Sequence, residues 1–204
     1  MLLFSTACIK NFFLSFFMHN FVFEKKTFMK NFLSLAAVSA VLLINLNACA
    51  QNDKAKRPSP PAKVSETLAS GATVTIDYSQ PALKGRTIGK DVEPMQGKVW
   101  RAGANEATVF EVSKDVKVEG KSLPAGKYAF FTIANGDEWT LIFNKTWKTW
   151  GAFDYDKNKA QDALQVKVKA GKSSMAMERL TYTIDKSGKV SLMWGDLEVG
   201  FNVQ

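Results

Sequence analysis

Lys127-Tyr128-Ala129-Phe130-Phe131-Thr132-Ile133-Ala134-Asn135-Gly136-Asp137-Glu138-Trp139-Thr140-Leu141-Ile142-Phe143-Asn144 decides the fold. Lys127 to Ala134 is rich in aromatic and β-branched residues and has no helical spacing, so it reads as a strand. Ala129-Phe130-Phe131 places apolar groups on both faces, which predicts a central strand. Asn135-Gly136 follows, a pair that tolerates the positive φ of a type I′ hairpin turn. Glu138 to Asn144 is then predicted to return antiparallel against the first strand.

The same period-two pattern recurs on either side. In Ala72-Thr73-Val74-Thr75-Ile76-Asp77-Tyr78, the residues Val74, Ile76 and Tyr78 share one face and Thr73, Thr75 and Asp77 the other. Further strands are predicted at Thr108–Val112, Val116–Val118, Leu164–Lys169, Leu180–Ile184, Lys189–Trp194 and Val199–Val203. Leu123-Pro124-Ala125-Gly126 and Asp185-Lys186-Ser187-Gly188 fit type I turns. No window carries helical spacing beyond about two turns. Roughly eight to ten short strands with turns between them predict an all-β domain, an antiparallel, jelly-roll-like β-sandwich.

The first fifty residues differ in kind. They hold two apolar runs, Phe12 to Phe23 and Phe32 to Leu46. Residues 29–50 read as a secretory signal: Lys30 supplies the basic start, Phe32 to Ile44 the apolar run, and Ala48 and Ala50 the small residues. The run is short against the roughly 20 residues of a membrane span. Residues 1–28 match no domain and read as an over-called start or an extra segment. Leu46-Asn47-Ala48-Cys49 reads as a lipoprotein signal with Cys49 lipidated; the alternative is an A-x-A site with cleavage after Ala50. Either reading exports the domain to the periplasm or the outer membrane, and in the first a lipid on Cys49 is its membrane contact. Residues 51–61 read as a Pro-rich linker and 62–204 as the folded domain.

Net charge is +8, from 27 basic and 19 acidic residues. The first fifty hold Lys10, Lys25, Lys26 and Lys30 against Glu24, so the rest carries +5. That is too mild for a nucleic-acid footprint. The only histidine is His19 and the only cysteines are Cys8 and Cys49. Residues from Gln51 on therefore offer no Ser-His-Asp or Cys-His nucleophile and no His- or Cys-ligated metal. No cofactor or metal is expected, and Asp154-Tyr155-Asp156-Lys157-Asn158 lacks the calcium-loop pattern.

Two clusters carry the candidate ligand-binding residues. Trp100-Arg101-Ala102-Gly103-Ala104-Asn105-Glu106 sets an indole, a guanidinium, an amide and a carboxylate among small residues. Arg offers a planar fork for carboxylates or hydroxyls, and Trp a flat face. Arg86, after Gly85, is expected on the same surface. The alternative is a structural corner in which Arg101 pairs with Glu106 or another acid and Trp100 fills core. Trp147, Trp150 and Tyr155 belong to the second cluster, which either lines a carbohydrate groove or covers the sandwich. Asp77, Glu106, Asp154 and Asp156 are the carboxylates available for acid–base work.

Several separated motifs occur in order: Arg57-Pro58-Ser59-Pro60, Ile76-Asp77-Tyr78-Ser79-Gln80-Pro81, Gly85-Arg86, Val99 to Thr108, Gly120-Lys121, Leu123 to Tyr128, and Trp139 to Asn144. In these the chain, from about 57 to 204, resembles the DUF2911 family. The resemblance implies an exported bacterial β domain, of a kind common in Bacteroidetes. It brings no catalytic residues with it.

Three functions fit these readings. The first is a non-catalytic binding module of the cell envelope for a small polar or carbohydrate ligand. The second is a carboxylate-based glycan hydrolase using Glu106. The third is a structural or assembly partner of another envelope protein.

Overall fold

A computed structural model of the protein describes residues 54–204. Cys49 and the whole of residues 1–50 lie outside the described residues. The elements are β1 (Pro61–Thr67), β2 (Thr73–Ser79), β3 (Val99–Trp100), β4 (Thr108–Val112), β5 (Val116–Val118), β6 (Lys121–Leu123), β7 (Gly126–Asn135) and β8 (Glu138–Asn144). After them come a short helix α1 (Tyr155–Asn158), a 3-10 turn (Lys159–Gln161), β9 (Asp162–Ile184) and β10 (Lys189–Asn202).

The fold is all-β and antiparallel. One large sheet runs β1-β2-β4-β7-β8-β9-β10, with β3 also pairing β7, and β5–β6 form a small second sheet. β7 is central, between β4 and β8, as its two apolar faces predict. Tyr128, Phe130 and Ala134 face the main core, while Ala129, Phe131 and Ile133 face a smaller cluster on the opposite side.

The sheet curls until its own strands face one another. Phe201 on β10 lies 5.7 Å from Phe130 on β7, ring centre to ring centre. Three strand steps separate β7 from β10, which in a flat sheet amounts to about 14 Å. Phe110, Phe130, Phe143 and Phe201 thus meet in one aromatic cluster. Both margins of the curl are fastened. The Leu180 amide donates to the Pro81 carbonyl and the Leu83 amide to that of Glu178. At the other end Lys117 and Gln204 exchange backbone hydrogen bonds, joining β5 to the chain end.

Three details differ from the sequence expectations. The segments at 164–169 and 180–184 are one strand, as are those at 189–194 and 199–203. Register shifts around Gly195 bend β9 and β10 without ending them. Asn135 pairs with Glu138, so the hairpin loop is Gly136-Asp137, with positive φ at Gly136 alone. That is the type II′ pattern, because Gly occupies the first loop position. Finally, β1 begins at Pro61, inside the segment read as a linker.

Candidate functional site

The loop from Arg101 to Ala107 joins β3 to β4, and its conformation is costly. Ala102 (φ 52°) and Asn105 (φ 60°) both occupy the left-handed region without being glycine, a cost of about 1–3 kcal/mol each that surrounding contacts must offset. Those contacts are visible. The fully buried Ala102 presents its carbonyl to two hydroxyls, that of Thr108 at 2.9 Å and that of Tyr182 at 2.7 Å. Burial, with Tyr78 beside it, holds the Tyr182 phenol well above its usual pKa, so it remains a donor. Gly103 is packed so closely that a Cβ would stand 2.8 Å from the Thr108 hydroxyl and 3.2 Å from the Ser79 carbonyl. Asn105 Nδ2 donates to the Ser59 carbonyl at 3.0 Å.

Arg101, carried by this braced loop, lines a cleft of about 370 Å³. Arg86, Trp100, Asp91, Glu93 and Trp194 also line it. The Trp100 and Trp194 rings stack at 6.0 Å and form its buried wall. Trp100 Nε1 donates to Gly103 and Trp194 Nε1 to Glu178, so both indoles have spent their polar atoms on the backbone. Arg86 is partly committed too, donating to the Leu83 and Ala82 carbonyls. Arg101 is not. Among the described residues it forms no ion pair, and its buried Nε has no acceptor. Burial holds its guanidinium below the usual pKa, and the nearby Glu93 carboxylate offsets this only in part.

Glu106 takes a different role. Its carboxylate accepts two hydrogen bonds from Arg57 Nη1, at 2.8 and 3.1 Å, and Lys54 Nζ lies 3.4 Å away. Burial alone raises its pKa, but its own backbone N–H, Arg57 and Lys54 together win and hold it below the usual Glu value. The corner in which Arg101 pairs with Glu106 does not form; Glu106 instead fastens the chain ahead of β1 to the domain.

The eight sequence-derived side chains therefore do not make one site. Arg86, Trp100 and Arg101 line the Arg101 cleft. Glu106, Trp147 and Trp150 line a second, more apolar groove of about 350 Å³. Asn105 and Tyr155 line neither. Tyr155 is buried against Phe131, and its hydroxyl donates to Asp162 at 2.7 Å. Desolvation and that carboxylate push its pKa up. Tyr155 covers the outer side of β7 and β8. Asp91, Glu93 and Trp194 reach the cleft only through the fold, and no local pattern marks them in the sequence.

The family described as "Protein of unknown function (DUF2911)" matches residues 59–203, most of the chain. The chain belongs to the DUF2911 family. The match spans β1 to β10, so both clefts lie within the DUF2911 domain. No curated protein and no solved structure matches the chain. Among the described residues no group of His, Cys, Asp and Glu is placed to hold a metal, and no helix is long and apolar enough to cross a membrane.

Proposed function

We propose that this DUF2911 domain is a non-catalytic binding module of the cell envelope. Its ligand is a small polar molecule, such as a carboxylate or a sugar, taken up in the Arg101 cleft. One observation carries the reading: a part-buried guanidinium whose Nε lacks an acceptor, held in the cleft by a strained, double-anchored loop. A buried donor without a partner costs about 1–3 kcal/mol. The planar fork of this guanidinium favours a carboxylate or a pair of hydroxyls, and a ligand that draws the side chain outward relieves that cost.

The hydrolase reading draws less support. Asp77 and Glu106 line a common cleft of about 250 Å³. However, Asp77 faces Lys63 at 3.4 Å, and Glu106 is clamped by Arg57. A general acid needs a carboxyl whose pKa is raised, and that of Glu106 is lowered.

The test is a thermal-shift screen of Gln51–Gln204 against organic acids, monosaccharides and short glycans. A ligand selective for the native state raises Tm by mass action. The shift is expected to vanish in Arg101→Ala and to shrink in Arg101→Lys, which keeps the charge but not the fork. A shift that survives Arg101→Ala refutes the site.

A further inference from the structure

We infer that the face formed by the loop at 147–153 and the chain at 54–57 is where the domain rests on an anionic membrane surface. Trp150 and Phe153 are 57% and 78% exposed. With Met175 they are the large apolar side chains left in solvent among the described residues. Only two residues separate Trp150 from Phe153.

Their surroundings are cationic. The Arg57 guanidinium lies over the Trp150 ring at 5.9 Å. Lys127 and Lys148 stand over Trp147 at 5.4 and 5.0 Å, Lys127 also pairing with Glu111 at 3.0 Å. Residues 145–161 contribute Lys145, Lys148, Lys157 and Lys159 against Asp154 and Asp156. Lys54, Lys56 and Arg57 against Glu106, which pairs with Arg57 and Lys54, leave a further surplus of two positive charges. Aromatic rings with lysine and arginine heads at one level are the composition of a lipid headgroup contact. The ammonium groups suit lipid phosphates, and the positive surplus selects anionic lipid.

Chain length supplies the orientation. The inference rests on the sequence reading in which a lipid on Cys49 holds the chain at a bilayer. Five residues carry the chain from Cys49 to Lys54. Fully extended they reach about 17 Å. A domain of this length is roughly 35–40 Å across. So short a tether turns the face it leaves toward the membrane, and that face holds Lys54, Arg57 and Trp150.

The experiment uses the full chain with vesicles of phosphatidylethanolamine and phosphatidylglycerol carrying brominated acyl chains, which quench tryptophan on contact. Trp100, Trp139 and Trp194 are buried and serve as the silent background. Quenching is expected in the wild type and falls about twofold or more in Trp150→Phe, since belt tryptophans sit at headgroup depth. It is also expected to weaken when phosphatidylcholine replaces the anionic lipid. Trp150 and Phe153 are exposed, so Trp150→Phe with Phe153→Ser leaves the fold intact and provides a second reading of the same face. If the chain sediments with vesicles but its tryptophans stay unquenched, the anchor stands and the proposal falls, leaving this face to a protein partner. If the chain does not sediment, the anchor reading fails and the proposal with it.

Discussion

Removing both hydroxyls that hold the Ala102 carbonyl is the sharpest test of the loop on which the Arg101 cleft depends. Tyr182→Phe and Thr108→Val are near-isosteric, so each deletes one hydrogen bond and little packing. In either single variant the carbonyl keeps the other donor, at 2.7 or 2.9 Å. The expected cost of each is about 1 kcal/mol, the net worth of one ordinary hydrogen bond. The double variant differs in kind. Ala102 is fully buried, and no backbone N–H among the described residues reaches its carbonyl. A dry, unpartnered acceptor adds about 1–3 kcal/mol to the sum of the single losses. Urea unfolding of Gln51–Gln204, a compact unit by itself, measures all four corners of the cycle, with m required to stay constant. A coupling of about 1–3 kcal/mol supports the reasoning, and ligand uptake at Arg101 weakens in the double variant as the loop relaxes. Additivity within about 0.5 kcal/mol refutes it, because the two hydroxyls would then not share one critical acceptor.

Two further outcomes follow from individual groups. Thr132 is fully buried on the inner side of β7, and its hydroxyl has no partner; Thr132→Val is expected to raise stability by about 0.5–2 kcal/mol in the same urea assay, and a loss would show that the hydroxyl is satisfied after all. The Glu106 pKa is lower in the folded state, so its contribution is present above the usual Glu range and is lost as pH falls through the folded value. Glu106→Gln is expected to cost less than about 1 kcal/mol at neutral pH, since the pair is largely solvated; the gap to wild type closes in acid, and a gap that persists there would contradict the ion-pair account.

Much of this architecture is written in local pattern. A strand's period is two, so Val74, Ile76 and Tyr78 declare one core face, and Ala129-Phe130-Phe131 declares a strand buried on both sides. The missed strand has a physical reason as well. Proline lacks an amide hydrogen, and Pro61 stands first in β1, an edge strand, one of the places where a sheet accepts it. Read locally, the same proline says linker. Gly171 and Gly195 likewise resemble strand ends, whereas the paired ladder carries β9 and β10 through the bends.

The all-β class, the central hairpin and the absence of His and Cys beyond residue 49 were all legible in the sequence. Those depend on residue type and on spacing within a few positions. It also marked Trp100 and Arg101 as unusual neighbours. Which charges meet follows from the folded chain alone. Arg57, 49 positions before Glu106, reaches its carboxylate and withdraws it from Arg101. Tyr182, 80 positions after Ala102, fixes the loop. Glu93 and Trp194, far apart in sequence, both line the cleft. Such meetings depend on the curl that lays β10 across β7. That curl is a property of how the whole sheet buries its apolar face, and no single segment specifies it.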